Sequence, residues 1–137
     1  VSQASGSERI LIAFQLGARF DPLETCSGKL LLSELDESSR AKSLKASGIW
    51  NTATGAARKS LKSKLRERSR ERLLQEDSQL RPGVRDIAVA LGTPDTIHAT
   101  VAVAHLSHRK NALSISKIRN HVVDTARNIE MRLGLST

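Results

Sequence analysis

Hydrophobic and polar positions change their rhythm several times along this chain of 137 residues. A short apolar run, Arg9-Ile10-Leu11-Ile12-Ala13-Phe14-Gln15-Leu16, stops at Gly17 and predicts a strand. Gly17 to Pro22 is punctuated at both ends and predicts a loop. From Ser27-Gly28 onward, Lys29 to Leu35 is rich in leucine and predicts a helix of one to two turns. Asp36-Glu37-Ser38-Ser39 has the form of an N-cap opening a second helix, Arg40 to about Ser47, which Gly48 ends. Trp50 to Gly55 predicts a loop. Ala56 to Gln75 then predicts a longer helix, mostly charged, whose apolar stripe is thin: Leu61, Leu65 and Leu73.

The rhythm shortens after Gln79-Leu80-Arg81-Pro82-Gly83. Two stretches of small apolar residues, about 84–91 and 96–106, flank Gly92-Thr93-Pro94-Asp95 and predict two strands joined by a tight connection. Asn111 is the expected cap of a last helix. Its residues Leu113, Ile115, Ile118, Val122, Ala126, Ile129 and Leu133 recur mostly at three- and four-residue steps, and Gly134 closes it. Two adjacent strands with a hairpin-length link, and no regular alternation of strand and helix, predict an α+β domain with a largely antiparallel sheet flanked by helices.

Composition narrows the classes of function. The length suits one domain with a real core. Phe14, Phe20 and Trp50 are the only aromatic residues, so the core is aliphatic, and stacking platforms for single-stranded nucleic acid are missing. Cys26 is the only cysteine, which excludes an intrachain disulfide and a cysteine-based zinc site. No apolar run approaches the roughly 20 residues of a membrane span, and the first residues lack the pattern of a signal peptide. The formal net charge is +8, much of it from Arg58 to Arg72. Those cations read as a solvated helix face, spread around the helix rather than gathered in a stripe. A phosphate-contacting helix is the sharper alternative. Weak DNA binding without sequence preference is the expectation for this chain alone.

Reactive chemistry is sparse. Ser27 precedes Gly28, but no Gly-x-Ser-x-Gly elbow surrounds it, so it reads as a cap or donor rather than a nucleophile. Cys26 beside a helix start has the setting of a lowered thiol pKa, yet reads better as a small residue of a binding site. His105 and His108 lack a third ligand at metal-site spacing, and no metal or other cofactor is expected. Glu76-Asp77 reads as a solvated acidic turn rather than an acid–base pair.

Three segments, in order, resemble the C-terminal effector-binding domain of the IclR (isocitrate lyase regulator) family of bacterial transcription factors. Gly17 to Leu32 is similar to its Gly-x-Arg-x-x-Pro-Leu-x-x-Thr-x-x-Gly-Lys segment and the helix that follows. Glu76 to Ala88 is similar to its acidic turn, Pro-Gly-Val and strand. Ala99 to Ala104 is similar to its last strand, before the terminal helix. The resemblance implies a GAF-like sheet with a ligand pocket on one face. It also implies a winged helix-turn-helix module N-terminal to this domain. No such module lies in this sequence, so residues 1–137 are expected to be an effector-binding domain incomplete at its N-terminus, reaching DNA only through that missing module.

Position by position, the resemblance implies an effector site made of Thr25, Cys26 and Ser27 at the helix start, Glu76, Val84 and Asp86, and Ala102 and Ala104. Ser27, Asp86 and Ala102 are expected to line one cavity. Amides at a helix start suit an oxygen anion. Residues two apart on a strand share a face. Family members that bind small 2-oxo acids carry hydroxyl residues where this chain has Ala102 and Ala104, which implies a larger or more apolar ligand. The expected whole is a non-enzymatic, cytoplasmic regulator without membrane contact. It would bind an organic acid or aromatic compound and act as a homo-oligomer, dimer or tetramer. A stand-alone GAF-like binding protein or enzyme is the alternative.

Overall fold

In a computed structural model of the chain, residues 15–68, 72–93, 96–106 and 113–135 are described. Residues 9–14 of the first expected strand, Asn111 and His108 lie outside them. Gln15 and Leu16 are not in a strand: the chain turns there, and the Ala18 amide donates to the Gln15 carbonyl at 3.0 Å.

Four helices come first: α1 (Cys26–Glu34), α2 (Glu37–Lys45), α3 (Gly48–Thr52) and α4 (Gly55–Arg68). Side-chain caps explain three of the starts. Thr25 accepts from the Gly28 amide, Asp36 from Ser39 and Ser47 from Trp50. The Ser47 cap turns part of the expected loop at 50–55 into α3. The C-terminal carbonyls of α1 receive a cap from the next helix: Arg40 Nε donates to Leu32 O, and Nη2 to Ser33 O and Leu35 O.

The sheet follows, with β1 (Leu73–Asp77), β2 (Val84–Thr93) and β3 (Thr96–Leu106) in the antiparallel order β1-β2-β3. β1 corrects the expectation of a helix reaching Gln75 and of an acidic turn at Glu76-Asp77. Arg72 has a left-handed backbone, φ 49°, which no helix continues through, and Leu73 to Asp77 pair residue for residue with Val89 to Arg85. Long charged residues favour a helix locally, but pairing with a buried strand overrides that preference. Gly83 takes φ 79° before β2. Thr93 opposite Thr96 leaves a two-residue link between β2 and β3. Last comes α5 (Ile115–Leu133), capped by Ser114 and closed by Gly134 at φ 66°.

β2 is buried nearly throughout because helices cover both faces of the sheet. Ile87, Val89 and Leu91 pack with Val122 and Ala126 of α5. On the other face Ala88 and Ala90 pack with Cys26 and Leu30 of α1 and Leu74 of β1. A third cluster, Leu23, Leu32, Leu44 and Leu65, binds α1 to α2 and α4, with Trp50 and Leu61 at its margin. The far end of the sheet is fastened by polar groups. Arg72 donates to Ala90 O, to Gly92 O and to Glu130 Oε1, and the Gly92 amide donates to the same Glu130 oxygen at 3.0 Å.

The loop before α1 is tied by Asp21. Its carboxylate accepts from Ser47 Oγ at 2.7 and 2.9 Å, from the Ile49 amide at 3.1 Å and from the Leu23 amide at 2.9 Å. Burial pushes the Asp21 carboxyl up, but these donated bonds outweigh it and hold its pKa below the ordinary aspartate value. A depressed carboxylate contributes stability that is present above its unfolded pKa and lost as pH falls through the folded value. Asp21→Asn is therefore expected to cost about 1–2 kcal/mol at neutral pH. The gap to wild type should narrow below about pH 4, where the unfolded carboxyl titrates. Thermal melts of both proteins from pH 7 downward check this. Asp36 and Asp77 are also lowered, by hydrogen bonds from Ser39 and Arg85, so the difference between variants isolates Asp21.

Candidate functional site

Strand register decides which side chains share a face. Asp86 lies opposite both Glu76 of β1 and Ala104 of β3; Ala88 lies opposite Leu74 and Ala102; Val84 lies opposite Leu106. Directly paired residues point the same way, and residues two apart do so too. Glu76, Val84, Asp86, Ala102 and Ala104 therefore occupy one face, the face on which α1 lies.

The start of α1 sits over this face. Cys26 Sγ is 3.3 Å from Leu74 O and 3.9 Å from Asp86 O. The cysteine is buried among Leu30, Leu74, Ala88 and Ala90, so its thiol belongs to the core. Thr25 uses its hydroxyl on the Gly28 amide at 3.0 Å, and its carbonyl accepts from the Lys29 amide. The amides of Cys26 and Ser27 precede the helix's own ladder, and Ser27 is half-buried in that first turn.

Burial shows how far α1 reaches. Ala88 is wholly buried, while its direct partner Ala102 is exposed and Ala104 only half-buried. Among the described residues α1 approaches β3 as well as β2 but leaves Ala102 exposed and Ala104 half-buried, and this part of the face forms a shelf. Its floor is Ala102 and Ala104, with Asp86 beside it and the helix start at its margin. Val84 is buried at the end of the same face.

Sequence reasoning named Glu76 and passed over its partner. Lys29 Nζ donates to Glu76 Oε1 at 2.5 Å, with the lysine side chain 5% exposed and the glutamate 19%. The pair has a local electrostatic reason. Glu76 and Asp86 stand directly opposite each other, and like charges so placed repel. The buried ammonium compensates one of them. Lys29 follows Cys26 by three residues and so lies on its helix face, which was the available signal. For the Asp86 carboxylate, no hydrogen bond or ion pair connects it to a described residue.

A second concavity lies on the opposite face, between β3 and α5. It is a groove of about 260 Å³ lined by Val101, Val103, Ile118, His121, Val122 and Thr125, among others. It falls below the roughly 300–1,000 Å³ of ordinary ligand pockets and has few polar groups to orient a ligand. Among the described residues no three His, Cys, Asp or Glu side chains gather as a metal site, and no helix is long and apolar enough to cross a membrane.

No family model and no curated protein matches the chain. Solved structures do. A Rhodococcus sp. RHA1 protein assigned as a transcriptional regulator superposes with a TM-score of 0.74 at 22% identity, over 95% of this chain and 54% of that one. An IclR homolog from Microbacterium hydrocarbonoxydans, complexed with 4-hydroxybenzoate, gives 0.72 at 15% identity, over 95% and 53%. A double mutant of the PobR inducer-binding domain from Acinetobacter, bound to 3-hydroxybenzoic acid, gives 0.66 at 21% identity, over 83% and 69%. The likeness establishes the fold, an α+β domain with an antiparallel sheet. The chain spans about half the length of the first two proteins.

Proposed function

We propose that residues 1–137 form the effector-binding domain of an IclR-type transcriptional regulator. In this reading the domain is non-enzymatic and cytoplasmic, and works in a homo-oligomer whose winged helix-turn-helix modules lie outside this sequence. The observation that carries the reading is the shelf itself, on a fold shared with regulators. The start of α1 stands at the margin of an exposed Ala102 and a half-buried Ala104. An acid would place its carboxylate at the amides of Cys26 and Ser27 and its apolar body over Ala102 and Ala104. Asp86 would accept from a ligand hydroxyl. Binding would favour one arrangement of subunits and so reset the spacing of the DNA-binding modules.

The test is a thermal-shift screen of 3- and 4-hydroxybenzoate, apolar aromatic acids and small 2-oxo acids, followed by calorimetry on each compound that binds. Ala102→Ser is expected to weaken an aromatic acid about tenfold or more, because a buried unpaired hydroxyl costs about 1–3 kcal/mol. The same change should favour small 2-oxo acids. Absence of binding at millimolar concentration across the panel, or equal affinities in both proteins, contradicts the reading.

A further inference from the structure

The charge of this chain is not evenly distributed. Between Glu37 and Arg68, the span of α2, α3 and α4, stand nine Lys or Arg and two Asp or Glu; nine less two is a surplus of seven, against +8 for the whole chain. Within α4, successive residues advance by about 100°. Arg58, Lys59, Lys62 and Arg66 therefore fall within an arc of about 100°, beside the Leu61 and Leu65 side that packs inward. Lys64 falls about 120° or more from each of these four, so the cations of α4 as a whole are spread around the helix as expected, and the four form its denser side. Arg58 to Arg66 measures about 12 Å along the axis, the axial extent of three or four phosphates of one strand of a duplex.

The stripe is also held in place. Arg58 donates to Trp50 O and Asn51 O, and its guanidinium lies 5.4 Å from the centre of the Trp50 ring. The Lys62 ammonium lies 5.8 Å from the same ring. One carboxylate, Glu37, stands among Arg40, Lys62 and Arg66, at 3.2, 3.9 and 3.6 Å. The cations outnumber the acid that orders them, and Lys62 and Arg66 keep side-chain exposures of 45% and 66%.

We infer that the α4 face is a docking surface for the phosphate backbone of double-stranded nucleic acid. A membrane surface is the poorer fit, because a helix lying in a bilayer interface needs an exposed apolar face, and the leucines of α4 point into the protein. Exposed cations at Lys59, Lys62 and Arg66, beside an Arg58 fixed against the Trp50 loop, suit a run of phosphate charges and carry no sequence information. The inference stands independently of the shelf on the sheet and of what that shelf binds.

Trp50 is the only tryptophan, so its fluorescence reports directly on this face. The experiment titrates the whole chain with a random-sequence 20-base-pair duplex across a salt series. Binding should perturb Trp50, with affinity falling steeply as salt rises. Lys59→Gln, Lys62→Gln and Arg66→Gln combined should reduce the slope of log affinity against log salt by about two to three, close to 0.9 for each phosphate no longer neutralised. Lys117→Gln, Arg119→Gln and Arg127→Gln on α5 remove the same charge and should leave the slope unchanged. Equal losses in both triple variants would show a general charge effect and overturn the inference. So would absence of saturable binding at low salt, or equal binding of poly-glutamate or anionic vesicles.

Discussion

Gly28→Ala is expected to lower the melting temperature by about 10 °C and, under the proposed function, to weaken ligand binding at the shelf. A Cβ at Gly28 would meet Pro22 O at 2.4 Å, Pro22 Cα at 2.7 Å and Thr25 Oγ1 at 2.8 Å. Two of these atoms are backbone and cannot rotate away. Overpacking costs about 1–3 kcal/mol, and rigid neighbours put this site at the upper end. At about 3–4 °C per kcal/mol for a chain of this size, that gives the stated shift. Thr25 would move too, and with it the cap that sets where α1 begins. Gly55→Ala is the control: nothing lies within 4 Å of a Cβ there, and alanine suits a helix better than glycine. It should leave stability unchanged or raise it. Similar melts for both variants would mean that the Pro22–Gly28 approach is not tight in solution.

The second large effect concerns the buried ion pair. Lys29→Met is expected to cost about 3–5 kcal/mol, because it removes the buried ammonium from its ion pair with Glu76. Asp86, directly across the strand pair, makes that loss worse. Lys29→Met combined with Glu76→Leu should recover most of the stability, since an apolar pair of similar volume often replaces a buried salt bridge without loss. Urea denaturation of the two single variants and the double variant measures the coupling. Additive losses would show that the two side chains do not stabilise each other. The same double variant separates two roles for Glu76. If the glutamate only holds Lys29, the stable double variant keeps its ligand; if it touches the ligand, binding falls although the fold is intact.

Lys29 also illustrates what a single sequence conceals. Other parts announced themselves: Gly28 at the start of α1, Gly134 by the way it closes α5, and β2 with β3 by two runs of small apolar residues around the connection at 92–95. The two-residue period of a strand put Val84 with Asp86 and Ala102 with Ala104, while setting both pairs on one face rested on the family resemblance and, in the structure, on the β2–β3 register. For Lys29 the spacing from Cys26 marks its helix face, but nothing local marks its partner, which lies 47 residues away. β1 was hidden for a related reason: a charged segment after a charged helix looks helical until β2 is there to pair with it. The Asp21–Ser47 tie joins two loops that local pattern treats as separate. The exposure of Ala102 depends on how α1 crosses the sheet, which is a property of packing alone.

Opposite faces of α1 are packed into different clusters. Leu30 is embedded against the sheet with Cys26 and Ala88, while Leu32, half a turn on, is embedded against α2 and α4 with Leu44 and Leu65. The helix thus works as a short axle between two gear trains. Close-packed interiors transmit strain, and through Leu32 and Leu65 α1 is in direct packing contact with α4, the helix that carries the denser cations.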